Sequence, residues 1–396
     1  LRKFRNPVCR WFGMKVGFFK WSRQLLCGVA AAVLGIVPMK AAAAGEVSVS
    51  ARSGVLMEAV TGRVIWEQNG EERLPMASTT KILTALLTLE QPGLDEPFTV
   101  NADAIRVEGT SMGLTEGAEV TLRTLAAGML LSSGNDAANA AAVRVAGSLA
   151  DFVMLMNRRA TQLGMADTCF ETPSGLDGQN HYSTARDMAL LARAALQNED
   201  FAAICSQKSG KYCYGAPPYE RWLKNHNRLL SEYEGCIGVK TGFTKKAGRC
   251  LVSAAEREGV TLICVTLNDS DDWKDHKALF NWGFSKIGQA ETPELPKSLP
   301  VAGGEAAAVS LALSEERPAF LKEERVRLSW RLEAEPFCYA PIRAGETVGV
   351  VRWFLDGQEC FSEPVKAVET VEAEETEKQS VWEGLRRWLA GLFGAL

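Results

Sequence analysis

The stretch Ile237–Leu267, IGVKTGFTKKAGRCLVSAAEREGVTLICVTL, decides the fold. Ile237–Thr244, Arg249–Ala255 and Val260–Leu267 are apolar runs separated by glycine-containing breaks, so they read as three consecutive strands. Arg257-Glu258-Gly259 turns the second into the third, and strands joined this tightly pair antiparallel. At the other end of the chain, Val55–Ala59 and Arg63–Glu67 flank Thr61-Gly62 and read as a hairpin able to complete the same sheet. Between them, Ile82, Leu83, Ala85, Leu86, Leu87 and Leu89 are apolar nearly all round, as in a helix buried mid-domain, and helical periodicity dominates from Leu122 to about Ala203. The expectation is an α+β domain over 45–289, an antiparallel sheet with helices on both sides.

Pro293, Pro296 and Pro300 mark the exit from that domain. Alternating segments at Val326–Leu332 and Val348–Leu355, the latter closed by Asp356-Gly357, predict a small all-β domain over 290–368. Residues 369–379 carry five glutamates and read as a solvated acidic linker. In 380–396 a helical projection puts Trp382, Leu385, Trp388, Leu389, Leu392, Phe393 and Leu396 on one arc, with Glu383, Arg386 and Arg387 opposite. That is the pattern of an amphipathic helix lying in a membrane surface; the alternative is a helix packed back on the protein.

The first 44 residues read as a secretory signal: Arg2, Lys3, Arg5, Arg10, Lys15, Lys20 and Arg23 precede the apolar run Leu25–Met39, which ends in Ala41–Ala44. A start at Met14 gives this signal better proportions, and an uncleaved anchor is the alternative. The expected location is the outer face of the cytoplasmic membrane. The 396 residues are 46% hydrophobic and 23% charged with a net charge of −4, an ordinary globular balance that argues against nucleic acid as a partner. Of ten cysteines, eight follow the signal without C-x-x-C spacing and read as buried free thiols, Cys205 with Cys213 being the one pair to check. Three histidines without metal-ligand spacing give no metal site, and no cofactor is expected.

Three short segments carry the chemistry: Ser78-Thr79-Thr80-Lys81, Ser133-Gly134-Asn135 and Lys240-Thr241-Gly242. Each alone has an ordinary explanation, a helix cap with a surface lysine, a turn, and an edge-strand lysine. Together they offer more. Ser78 and Lys81 lie one turn apart at the start of the most apolar helix, where a lysine held neutral by burial can take the serine proton. Ser133-Gly134-Asn135 falls between the helical stretches Thr124–Leu131 and Asp136–Val145, and Lys240 lies on a predicted strand.

With their flanks, LPMASTTKILTALL, GTSMGLTEGAEVTLRTLAAGMLLSSGNDAANAAA, TPSGLDGQNHYSTARDMALLARAAL and GVKTGFTKKAGRCLV, these segments resemble the low-molecular-weight D-alanyl-D-alanine carboxypeptidases, penicillin-binding serine peptidases of family S11. The resemblance covers the whole first domain and implies a β-lactamase/transpeptidase-like fold. It implies that Ser78 attacks the carbonyl between two D-alanines of a peptidoglycan peptide, Lys81 takes its proton, and Ser133 relays a proton to the departing D-alanine. Asn135 would hold the substrate amide, Lys240 and Thr241 of Lys240-Thr241-Gly242 the terminal carboxylate, and the N–H groups of Ser78 and Phe243 the oxyanion. β-Lactams would be covalent inhibitors.

A class A β-lactamase needs a glutamate in an E-x-x-x-N segment, and the residues four places after Glu171, Glu199, Glu220, Glu232 and Glu234 are Gly175, Ala203, Lys224, Cys236 and Gly238. A DD-endopeptidase or transpeptidase is the nearer alternative, because acceptor choice depends on cleft shape. A non-catalytic wall-binding protein would not need the full set of catalytic side chains. Ser-His-Asp chemistry is disfavoured, with His181 and His226 read as structural or surface residues.

Overall fold

A computed structural model describes residues 47–313 and 317–374. The hairpin of β1 (Ser53–Glu58) and β2 (Val64–Gln68) leads into a 3-10 turn, Ala77–Thr80, continuous with α1 (Lys81–Leu89). Two short strands, β3 (Phe98–Thr99) and β4 (Glu119–Val120), precede α2 (Leu122–Leu130), α3 (Asn135–Ala146), α4 (Leu149–Gln162), α5 (Ala185–Leu196) and α6 (Glu199–Cys205). A hairpin, β5 (Ser209–Gly215) with β6 (Pro218–Lys224), and the short α7 (Leu229–Glu232) come next. Then follow β7 (Cys236–Thr244), β8 (Gly248–Arg257), β9 (Val260–Asp269) and α8 (Asp272–Lys286).

The main sheet runs β2-β1-β9-β8-β7, all antiparallel, so the opening hairpin does complete the sheet built by the later strands. Strand alternation sends side chains to two separate cores. Val55 and Met57, Val252 and Ala254, and Ile263 and Val265 join the core under α1 and α5, whereas Leu56, Leu251 and Leu262 face Leu279 and Phe280 of α8. Burial on both faces explains why these strands read as continuous apolar runs. Each fully buried Val, Leu, Ile or Phe here contributes about 1.5–3 kcal/mol.

Local signals set the helix starts. Thr121, Ser148, Thr184 and Asn198 each accept a hydrogen bond from the backbone N–H three residues on, at 2.9–3.1 Å, capping α2, α4, α5 and α6.

Beyond residue 290, Leu328–Ala334, Thr347–Leu355, Gln358–Ala367, Ala308–Ala312, Ser298–Ala302 and Cys338–Tyr339 form a six-stranded sheet in that order. Arg63, beside the β1-β2 turn, makes a bidentate pair with Glu324 at 2.7 and 3.0 Å and ties this region to the first sheet.

Residues 369–374, expected to begin an acidic linker, pack along the β-rich region. Val371 bridges to Ile342 and Ala373 to Gly304, with Val371 buried, and the Glu374 N–H donates to the Gly303 carbonyl, so the chain stays attached to the β-rich region as far as Glu374. Alternation is the reason: one inward apolar residue between outward Thr370 and Glu372 suffices to seat an edge segment. The signal at 1–44, the rest of the linker and the helix at 380–396 lie outside the described residues. The eight cysteines of the described chain are unpaired, Cys205 buried and Cys213 exposed.

Candidate active site

The 3-10 turn places Ser78 and Lys81 at the mouth of the buried α1. Ala77, just before the serine, holds a left-handed φ of 49°, and its carbonyl packs against Gly175. Ser133 is likewise left-handed at φ 59°, its carbonyl accepting from Thr110 Oγ1 at 2.8 Å. Non-glycine residues in this region cost about 1–3 kcal/mol, and two of them flank one cleft.

Lys81 Nζ is fully buried and touches three oxygens: Ser78 Oγ at 2.9 Å, Asn135 Oδ1 at 2.7 Å and the Ser174 carbonyl at 2.5 Å. None is a carboxylate. Burial, reinforced by the nearby Lys240 charge and opposed by Asp136, holds the Lys81 ammonium well below its ordinary pKa. A neutral amine has two hydrogens and one lone pair. The two carbonyl oxygens take the hydrogens, which leaves the lone pair for the Ser78 hydroxyl.

Asn135 is the first residue of α3, and its Nδ2 donates to the Glu108 carbonyl at 2.7 Å. Asp136 beside it accepts from Ser111 Oγ and from the N–H groups of Met112, Gly113 and Leu114 at 2.6–3.1 Å, which pins the loop carrying Thr110. Lys240 on β7 points across the cleft and donates to Ser133 Oγ at 3.1 Å. The sequence reading allowed an edge lysine in solvent; the structure buries it, and burial pushes its pKa down to about 7.

Gly242 has a geometric reason. A Cβ there would lie 3.0 Å from the Met76 carbonyl and 3.1 Å from the Ser78 nitrogen, so any larger residue would push β7 or the serine turn back by a few tenths of an ångström. Thr241, Gly242 and Phe243, with Ser78, Ser133 and Thr110, line a cleft of about 310 Å3, with the Phe243 ring exposed at its edge. Of the eight residues singled out in the sequence, Ser78, Ser133, Thr241, Gly242 and Phe243 line the cleft, and Lys81, Asn135 and Lys240 lie buried behind it, Lys81 bonded to Ser78 and Asn135, and Lys240 to Ser133.

Four wall residues escaped the sequence reading: His226, Arg249, Asp272 and Trp273. His226 lies on the cleft wall, where burial and the Lys240 and Lys224 charges lower its pKa and favour the neutral ring. Arg249 donates through Nε and Nη2 to Asp272 Oδ1 at 3.1 and 2.5 Å and stacks over Trp273. The available signal was Asp272-Trp273 straight after the third strand, where a sheet edge turns into a helix. His181 is structural, as expected, whereas His226, expected to be structural or on the surface, lies on the cleft wall. His181 accepts from the Glu171 N–H through Nδ1, its Nε2 lies 2.9 Å from Thr80 Oγ1, and burial lowers its pKa to about 4.

Arg249→Ala is expected to raise KM for a carboxylate-ended peptide about tenfold with a smaller effect on kcat, because it leaves the buried Asp272 carboxylate unpaired at the cleft wall. Steady-state kinetics measures this, and an unchanged KM would show that the Arg249–Asp272 pair has no bearing on substrate binding.

The profile of the D-alanyl-D-alanine carboxypeptidase family, peptidase S11, matches residues 39–271. The chain belongs to this family. The carboxypeptidase is 33% identical over 343 residues to D-alanyl-D-alanine carboxypeptidase DacF of Bacillus subtilis, covering 82% of this chain and 86% of that one. It is 34% identical to DacC of Escherichia coli, covering 82% and 85%. Among solved structures, penicillin-binding protein 5 of Haemophilus influenzae superposes with a TM-score of 0.62 at 27% identity, covering 83% of this carboxypeptidase and all of that chain. The DD-transpeptidase of Streptomyces K15 gives 0.58 at 32%, covering 61% and 99%.

Proposed function

We propose that this enzyme removes the terminal D-alanine from peptidoglycan stem peptides through an acyl-enzyme on Ser78, and that β-lactams acylate the same hydroxyl. The observation that carries the reading is the buried Lys81 amine between Ser78 and two carbonyl acceptors. Ser78 Oγ attacks the carbonyl carbon of the penultimate residue as its proton passes to Lys81 Nζ. The tetrahedral oxyanion forms beside the N–H groups of Ser78 and Phe243. The proton taken up by Lys81 is relayed through the Ser133 hydroxyl, hydrogen-bonded to Lys240, to the leaving amine. This returns Lys81 to its neutral form and leaves Ser133 protonated as the C–N bond breaks and D-alanine departs. Water then adds to the ester and restores Ser78. Asn135 orients the substrate amide, and Lys240 and Thr241 hold the terminal carboxylate, a charge-assisted contact that a peptide with further residues would lack.

Purified protein incubated with a peptide ending in D-Ala-D-Ala should release free D-alanine, and mass spectrometry should trap an acyl adduct on Ser78. Peptide left unchanged while nitrocefin is rapidly hydrolysed would replace the reading with a β-lactamase. An added amino-acid acceptor distinguishes hydrolysis from transpeptidation: water as the main acceptor gives tetrapeptide, whereas exchange product would point to the chemistry named for the Streptomyces relative.

The Lys240 value of about 7 sets the alkaline side of the pH profile. The free enzyme binds a carboxylate best with Lys240 protonated, so kcat/KM should fall as pH rises through about 7. Bound carboxylate favours the charged form, so the corresponding limb in kcat should move to higher pH. A kcat/KM profile flat from pH 6 to about 9 would rule out this titration.

The enzyme is also proposed to be exported and held at the outer face of the cytoplasmic membrane. The basic-then-apolar segment over 1–44 and the amphipathic arc over 380–396 support this. Deleting Trp382–Leu396 should move the protein from the membrane to the soluble fraction, and unchanged sedimentation would refute the anchor.

A further inference from the structure

A second cavity, about 500 Å3, is lined in part by the segment whose Ser174 carbonyl accepts from Lys81 Nζ. Thr110 lines the catalytic cleft, and Val107, three residues before it, lines this cavity. Its walls are otherwise Leu149 and Val153 of α4 and Phe170, Pro173 and Leu176 of the segment that supplies Ser174. Two polar side chains line it and have no hydrogen-bond partner among the described residues: the Asn139 amide, 8% exposed, and the Ser174 hydroxyl, 2% exposed. The other polar lining groups are engaged. The Thr172 hydroxyl donates to the Leu176 carbonyl, and the Glu171 carboxylate accepts from the Asn180 N–H at 2.9 Å.

The Asn139 amide has no protein partner among the described residues and its polar atoms are open to solvent through the cavity, so a complementary ligand exchanges hydrogen bonds to water for bonds to protein and gains about 0.5–1.5 kcal/mol. Asn139 follows Asn135 by one turn of α3, so the two amides share a face of the helix, one serving Lys81 and the other the cavity. We propose that this cavity binds a small neutral molecule with an aliphatic body and one amide group, and that its occupancy slows acylation of Ser78. The apolar walls bury the body. Asn139 offers one donor and one acceptor, the complement of an amide, and the one charged wall residue already has its hydrogen bond.

The coupling has a short path, and it rests on Lys81 being the base. The carbonyl that takes Lys81 Nζ belongs to Ser174, and the one that takes Asn135 Nδ2 belongs to Glu108, next to Val107. A ligand wedged between these two segments moves both acceptors. Their contacts, 2.5 and 2.7 Å, are at the short end of the hydrogen-bond range, so drawing either carbonyl away weakens the hold on the lysine and on Asn135.

The probe is N-acetyl-L-leucinamide, followed by saturation-transfer NMR on the full chain and on the Ser78→Ala variant. Both should bind it with a dissociation constant on the order of 1 mM, and saturating probe should slow labelling of the wild type by fluorescent penicillin about fivefold. Val153→Trp fills the cavity and Asn139→Leu removes the amide; both should label normally without probe and lose both responses. If Val153→Trp fails to fold, Asn139→Leu still decides. Absence of binding to wild type, or binding retained in the variants, overturns the site. Binding with unchanged labelling overturns the coupling, and tighter binding of the cationic Nα-acetyl-L-lysinamide overturns the neutral-ligand assignment. Binding to Ser78→Ala needs no turnover, so failure of the cavity proposal is distinguishable from failure of the catalytic one.

Discussion

Ser78→Ala is expected to lower D-alanine release by a factor of about 10^4 or more and to abolish fluorescent penicillin labelling, with the fold intact. The side chain is small, part of a 3-10 turn, and its hydroxyl has Lys81 as its side-chain partner. Lys81→Ala should be nearly as damaging, and the double variant no worse than either single one, because a nucleophile and its base act as a unit. The lysine change carries a structural penalty too, since it leaves Asn135 Oδ1 and the Ser174 carbonyl without their buried donor. Lys81→Met separates the two effects: it fills the space without the amine, so activity should stay lost while the melting temperature recovers part of the deficit. Additive losses in the double variant, or residual labelling of Lys81→Ala above one per cent of wild type, would mean that another group takes the proton.

The main fold was open to sequence reading because β8 and β9 are buried on both faces and so read as long apolar runs, a pattern that few other elements share. The three chemical segments were visible because side chains carry them. What escaped was supplied by the backbone or by placement. The Ser174 carbonyl holds Lys81, yet any residue presents a carbonyl, so no residue type marks it. The β5-β6 hairpin went unread because its strands are mostly exposed and polar, with Arg221 stacked between Tyr214 and Tyr219 in place of an apolar core. Arg249 and Asp272 lie 23 residues apart in sequence and become one pair only when β8 and the start of α8 meet. The burial of Lys240 followed from tertiary packing as well: the sequence shows which strand carries the lysine, and only its neighbours decide that water is excluded.

Gly175→Ala is expected to be the most destabilising small change near the site. The residue has φ +84°, where an added Cβ is strained, and that Cβ would lie 2.1 Å from the Ala77 carbonyl oxygen and 2.7 Å from its carbon. These are main-chain atoms, so no side chain can rotate away. Relief requires moving either the Glu171–Leu176 segment, which holds Lys81 through the Ser174 carbonyl and Thr84 through the Pro173 carbonyl, or the turn that aims Ser78. The first choice gives up buried hydrogen bonds and the second displaces the nucleophile. The expected cost is about 3 kcal/mol or more of stability, with penicillin labelling of the surviving folded fraction slowed by about 10^2. Thermal melting and labelling kinetics on one preparation test both parts. A large fall in melting temperature with labelling at the wild-type rate would show that the strain is absorbed away from Ala77, and that Gly175 supports the fold without setting the serine's position.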